Sequence, residues 1–289
     1  MVHICECFPA DIRRALAELP ETLDETYERT LRGIYKANWK LAHRIFQFVS
    51  VASSPLHVKE LAELVAFDFE AGSIPKFYEN WRVENAADAV LSTCSTLLAI
   101  VNDRGYPVIQ FSHFSVKEFL TSTRLAEATD ITSRYHVSMT PAHTLVAQAC
   151  LGILLHLDKD ITSDDLKHFP LTSYAVEHWV DHARFGDVLG NVENGVKQLF
   201  DPRKPHRSIY LWIYNSTVPD MASSDTKQKA AATSTDHLAL CRFLGFTNCC
   251  RVSHQRVLTR CLLSILHRRC DSVAFSLTKG TRESCLQAY

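Results

Sequence analysis

The sequence predicts a mostly α-helical protein with one small β-hairpin, and three observations carry that expectation. Nine glycines and ten prolines among 289 residues are few, so long windows run without a breaker. Several of these windows repeat apolar residues three and four apart, the spacing that gathers them on one helix face. A single stretch, Leu97 to Phe111, instead sets two short β runs on either side of a glycine-containing turn. At 46% hydrophobic and 22% charged, a chain of this length can bury a real core and fill two domains.

The elements follow in order. Thr22 stands three residues before Glu25 and ahead of an apolar stripe at Leu23, Tyr27, Leu31 and Ile34, a capping box opening an amphipathic helix. Leu41, Ile45, Phe46, Phe48 and Val49 make most of a second helix, Trp39 to Ala52, apolar, which places it inside a core. Ser54-Pro55 interrupts, the helical pattern resumes from Val58 to Phe67, and residues 68–84 are irregular enough to predict a loop. A third helix is expected over Ala86 to Thr96. The hairpin follows, turning at Asn102 to Tyr106, and Ser115 with Glu118 predicts a second capping box for the helix that holds Phe119 and Leu120. Three helices and then a hairpin is the order of a winged-helix domain, here over roughly 38–125. Beyond it, 141–157, 171–184 and 187–200 are helical, Asp201 to His206 is a turn, and Ser208 to Tyr214 is short and aromatic.

Charge and motifs narrow the function. The net charge of −1 supplies no global basic field for sequence-independent nucleic-acid binding. Residues 242–289 are the exception, with eight basic and two acidic side chains. No run approaches the ~18 apolar residues of a membrane helix, and the start lacks a basic and then apolar leader, so no membrane association and a cytoplasmic location are expected. Ten cysteines at irregular spacing fit reduced intracellular thiols better than a disulfide framework. None of the nine glycines precedes a lysine, so the phosphate loop G-x-x-x-x-G-K-[ST] is absent from the sequence, as are G-x-G-x-x-G and G-x-S-x-G.

Several phrases together resemble one family. They are Cys7-Phe-Pro, Leu16 to Arg29, Leu61-Ala-Glu-Leu, Phe111-Ser-His-Phe-Ser-Val-Lys-Glu-Phe-Leu120, Phe169 to His182 and Leu199-Phe-Asp-Pro. Over about 5–214 the chain resembles the fungal NACHT-type (STAND) signalling NTPases with ankyrin or WD repeats. The likeness is to the region after the NTPase core, a winged helix of the type also named after GPI inositol-deacylase and then helices. It implies no deacylase chemistry. Past a linker at 215–236, His237-Leu-Ala-Leu-Cys with Gly245 is similar to the opening of an ankyrin repeat. The pattern stops near 242–250, where the charge changes sign, and a change of coding frame or splice model is expected there. The layout is thus a helical lead-in at 1–37, the winged helix at 38–125, helices at 126–214, the linker, and a degenerate ankyrin start with an unstructured tail at 237–289.

The resemblance also implies one cofactor-binding residue. In the family a histidine of the F-x-H-x-S-x-x-E-[FY] motif approaches the nucleotide phosphates and holds the resting state closed. The motif matches at Phe111, His113, Ser115, Glu118 and Phe119, so His113 is the candidate phosphate contact, conditional on a partner nucleotide domain. The plain alternative is that His113 bonds local backbone at that corner. Ser115 and Glu118 are expected to be caps.

Rival chemistries are weaker. Cys249, Cys250, His254, Cys261, His267 and Cys270 have zinc-binding side chains but no finger spacing. His178 and His182 stand four apart on an expected helix, yet Trp179 occupies the place of the zincin glutamate, leaving a solvated face with Tyr174 and Trp179 as packing anchors. Winged helices often bind DNA, but no lysine or arginine lies between Arg82 and Arg104, across the helix that would enter the groove. No nucleophile or acid–base pair is singled out, so no catalytic or metal residue is assigned. The expectation is a non-catalytic regulatory or scaffold segment of a NACHT-type NTPase. It has no cofactor of its own, and its partners are proteins, NACHT-type relatives among them. A DNA-binding winged helix or a zinc-binding tail is the alternative.

Overall fold

Thr22 opens the first helix, its hydroxyl accepting the Glu25 amide at 3.2 Å and so satisfying one of the N–H groups that a helix start leaves open. In the computed structural model, which describes residues 22–94 and 96–217, the chain runs α1 (Leu23–Arg32), α2 (Trp39–Val51), β1 (Leu56–His57), α3 (Val58–Ala62), β2 (Phe67–Asp68), β3 (Lys76–Phe77), α4 (Ala86–Cys94), β4 (Leu98–Asp103), β5 (Tyr106–Phe111), α5 (Phe114–Leu120), α6 (Thr123–Ala126), α7 (Met139–His156), α8 (Leu171–Ala183), α9 (Val188–Leu199) and α10 (His206–Thr217). The described residues divide into two compact units, 22–66 with 78–145 and 67–77 with 146–217.

The first unit is built on α2. Its Ala42, Ile45, Phe46, Phe48 and Val51 are buried, joined by Leu31 of α1, Leu61 of α3 and Val116, Phe119 and Leu120 of α5. Phe46 packs against Phe111 and edge-on to Tyr135, at ring separations of 6.5 and 6.1 Å. Three antiparallel strands in the order β1–β5–β4 complete the unit, with β5 central. Leu56 pairs with Ile109 on one side, and on the other the ladder runs from Leu98–Phe111 to Asp103–Tyr106. The hairpin turn holds two residues of positive φ, Arg104 at 50° and Gly105 at 93°. A two-residue turn of this hand matches the twist of the strands, and Asn102 Oδ1 steadies it by accepting the Gly105 amide at 2.8 Å.

Between Ala66 and Tyr78 the chain leaves this unit, and the Tyr78 amide closes the neck by donating to the Ala66 carbonyl at 2.8 Å. The stretch expected as a loop over 68–84 is thus partly ordered, as the β2–β3 pair and a 3₁₀ turn at Glu79–Trp81. Its irregular composition hid two strands of two residues each, too short to show alternation. On return, Arg82 meets Glu63, a side chain only 4% exposed, at 2.6 Å. Removing Arg82 would take a cation away from a carboxylate that the fold has buried, the costly way to break such a pair.

The second unit packs α8, α9 and α10 with the later part of α7. Residues 70–75 pass close to two glycines. A Cβ on Gly152 would stand 2.7 Å from the Pro75 carbonyl, and one on Gly195 would stand 2.5 Å from Ile74. Gln148 Nε2 donates to the Ser73 carbonyl at 2.9 Å, tying the same stretch down. The short aromatic run over 208–214 proves to be the middle of the twelve-residue α10, whose Ile209, Tyr210, Leu211 and Ile213 are buried. Tertiary burial outweighs the modest helix propensity of those residues. The linker and the segment 237–289, with its ankyrin-like start, lie outside the described residues from 218 onward.

Helix α1 buries Tyr27 and Leu31 and leaves Leu23 59% exposed, so its buried stripe begins a turn later than the sequence spacing suggests. An ion chain runs along its outer side. Arg124 contacts Asp24 at 3.1 Å and Glu28 at 2.9 Å, while Arg32 contacts Glu28 at 3.3 Å and Asp130 at 2.8 Å. Thr132, through hydroxyl and amide, and then Arg32 hold the Asp130 carboxyl down at about 2, below its ordinary 3.8. A depressed carboxylate stabilises the fold above its unfolded value and loses that contribution as pH falls through the folded one. The stability gap between the native protein and Asp130→Ala should therefore be constant above about pH 4 and close between about pH 4 and pH 2. Urea titrations at stepped pH would check this, and a gap that stays constant down to pH 2 would refute it.

Candidate functional site: the His113 corner

Two residues separate the central strand β5 from α5, and they form a sharp corner. Ser112 prolongs the sheet, its amide donating to the Leu97 carbonyl at 3.0 Å and its hydroxyl to the Thr96 carbonyl at 2.9 Å. His113 then takes an extended backbone, φ −150° and ψ 149°, and becomes the N-cap of α5. Its Nδ1 accepts the Ser115 amide at 3.3 Å and lies 2.6 Å from Ser115 Oγ. Tyr27 of α1 reaches the same hydroxyl at 2.8 Å.

These contacts fix the direction of the hydrogen bonds. Because Nδ1 accepts an amide, its lone pair faces Ser115, and the Ser115 hydroxyl donates to it as well. The Ser115 oxygen is then the acceptor for the Tyr27 hydroxyl. The chain therefore runs Tyr27 O–H to Ser115 O–H to His113 Nδ1, and the ring carries its proton on Nε2. No partner meets Nε2 among the described residues, and the imidazole is exposed. Phe114 lies beside the ring at 4.3 Å and is 71% exposed. The corner thus offers an outward N–H donor next to an uncovered aromatic face.

Sequence reasoning placed His113 correctly at the strand-to-helix junction but gave the cap to the wrong residue. The expected box of Ser115 and Glu118 does not open α5, because His113 is the cap and Ser115 lies in the first turn. An imidazole that accepts a backbone amide does the work expected of the serine hydroxyl, and Glu118 stands two residues past Val116, the position from which a capping-box side chain reaches back. The plain alternative and the phosphate contact use different nitrogens. Local backbone engages Nδ1 and leaves Nε2 for a ligand. Tyr27 was legible only as a stripe residue, since its partner lies 88 residues away in sequence.

Other sequence candidates fall elsewhere. His182 is fully buried, its Nε2 2.8 Å from the Tyr174 hydroxyl, so the face expected to be solvated is half interior. Tyr174 and Trp179 are buried, as packing anchors should be. His178 lies 3.7 Å from both Glu177 and Asp181. Among the described residues no three His, Cys, Asp or Glu side chains converge as a metal site, and the cysteine and histidine cluster of 249–270 lies outside them. Helix α4 starts on Asn85, whose Oδ1 accepts the Ala87 and Asp88 amides at 3.1 and 3.2 Å, and it exposes Asp88 rather than a cation. No helix among the described residues is long and apolar enough to cross a membrane.

The helices α2, α3 and α4, the β1–β5–β4 sheet and the hairpin define a winged-helix domain in a mostly α-helical chain. Residues 27–132 match the family model described as the GPI inositol-deacylase winged helix domain. The chain is also 32% identical over 174 residues to the azaphilone pigments biosynthesis cluster protein L of Monascus ruber, across 58% of this chain and 36% of that relative. It therefore spans about a third of the length of that relative. No solved structure matches the chain.

Ser115→Ala removes the middle of the hydrogen-bonded chain and should lower stability by about 1 kcal/mol, the usual net worth of such a bond. Glu118→Ala should change it by less than about 0.5 kcal/mol, as an exposed substitution does. Chemical denaturation of both variants checks this, and equal losses would restore the serine–glutamate box.

Proposed function

We propose that this chain acts by binding rather than catalysis, as a regulatory segment of a NACHT-type signalling NTPase whose winged helix couples nucleotide state to protein–protein contact. The observation that carries the reading is the outward Nε2–H of His113, fixed from behind by Ser115 and Tyr27. An imidazole whose Nδ1 is held by a backbone amide presents Nε2–H as a directional donor for a phosphate oxygen. Phe114 beside it gives an apolar contact for a partner surface. The winged-helix family match supports the domain assignment, and the F-x-H-x-S-x-x-E-F text supports the placement of the histidine.

On this reading the 289 residues bring no phosphate loop of their own, so the nucleotide belongs to a NACHT-type partner domain. The partner is a protein, neither DNA nor membrane, and the acidic and uncharged surface of α4 suits that choice. Exchange of packed interfaces between two states would transmit the nucleotide signal.

The test mixes the full chain with the purified NACHT domain of a full-length relative loaded with ADP or with a non-hydrolysable ATP analogue. Co-elution should favour the ADP form, and His113→Ala should weaken it by about tenfold, the loss expected for one hydrogen bond to a charged group. Equal or absent binding in both nucleotide states would overturn the reading.

A further inference from the structure

We infer that the winged helix binds a second copy of this chain head to tail, a cationic face around Trp39 on one copy receiving an acidic face around Trp81 on the next. Both faces lie in the first unit, and neither includes the His113 corner, so the contact stands apart from the function proposed above.

The cationic face begins in the sequence, where residues 29–59 hold six lysines and arginines and no aspartate or glutamate. Lys36 and Lys40 are exposed, as is Arg134 of the 3₁₀ turn Ile131–Tyr135. They gather about Trp39, the first residue of α2, with Lys40 Nζ 5.9 Å and Arg134 Cζ 5.2 Å from its ring centroid. Tyr35, which precedes the 3₁₀ turn Lys36–Asn38, is 80% exposed. Cations over the Trp39 ring take the place that a stacked base would need, so the face suits carboxylates of a protein better than a nucleic acid.

The acidic face supplies such carboxylates. Glu79, Glu84 and Asp88 are exposed, and no lysine or arginine occurs from Val83 to Asp103. Arg82, within the same stretch, is turned onto the buried Glu63 at 2.6 Å. Tyr78 and Trp81 stack at 4.6 Å with their planes 26° apart. With Val83 they are three of the nine large apolar side chains exposed among the described residues, all within six positions. Exposed tryptophan and tyrosine rimmed by carboxylates receive lysine or arginine, the rings through their π-faces and the carboxylates by charged hydrogen bonds. The two faces therefore match, three cations and an exposed tyrosine against three carboxylates and an aromatic pair. Their charges are exposed, so the contact is weak, salt-sensitive and selective in orientation. Two different faces meet in it, so every copy keeps one face open and assembly does not stop at two.

The experiment is analytical ultracentrifugation of the full chain, without nucleotide or any other protein. In low salt the native chain should grow past the dimer at concentrations on the order of 0.1 mM, the range of weak transient contacts. In ~1 M NaCl, where screening reaches ~3 Å, it should disperse. Lys36→Glu with Lys40→Glu spoils the cationic face alone, and Trp81→Ala with Glu84→Gln spoils the acidic face alone. Each double variant by itself should associate at least about tenfold more weakly than the native chain. Mixed, the two should form a one-to-one dimer at close to the native affinity and grow no further, because each brings one intact face. That recovery also shows that both variants fold. Arg134→Glu replaces the lysine pair, and Glu79→Gln with Glu84→Gln the second pair, should circular dichroism show either one unfolded. A native chain that stays monomeric, a native assembly that stops at two, folded variants that assemble like the native chain, or folded variants that do not combine when mixed would each overturn the inference.

Discussion

Strand β5 is paired on both edges, and the rest of the winged helix depends on that constraint. With β1 paired at Val108 and Ile109 on one side and β4 along its whole length on the other, its register is fixed at Leu56–Ile109 and Leu98–Phe111. Val108 and Ile109 point to opposite faces of the strand and are both buried, while Gln110 is exposed. The strand ends at Phe111 beneath Phe46, the fully buried centre of α2. His113 follows two residues later and inherits this rigidity. A polar side chain at the end of a doubly paired strand is placed by the whole sheet rather than by its loop.

The same corner meets a second, weaker restraint from outside the sheet. Tyr27 reaches Ser115 from a helix whose grip on the unit is partly apolar and partly ionic. The sheet sets where the imidazole stands, the Ser115 amide holds its Nδ1 inward, and Tyr27 adds a further hydrogen bond to the Ser115 hydroxyl.

Much of the fold was legible because it rests on local signals. Thr22 and Glu25 mark a helix start within four residues, Ile45, Phe46 and Phe48 mark a core helix, and Arg104-Gly105 marks the hairpin turn. The corner was legible as to residue but not as to wiring. The His113 cap and the Tyr27–Ser115 bond depend on where chain segments meet in space, and no spacing encodes a contact across 88 residues. The strands at Phe67 and Lys76 were too short to show a period, and α10 was hidden by aromatic residues that favour strands in isolation. His182 illustrates the opposite error, since a histidine one turn after His178 and two after Tyr174 looks like a polar face until Tyr174 is seen to satisfy it in the interior.

The central claim is that Tyr27 and His113, which both reach the Ser115 hydroxyl, act as one unit through it. A double-mutant cycle on the stability of the full chain tests it most directly, comparing Tyr27→Phe, His113→Ala and the two together. The account predicts a coupling of about 0.5–1 kcal/mol, within the range for residues of one hydrogen-bond network. Losses that add to within about 0.3 kcal/mol, as they do for independent sites, would contradict it.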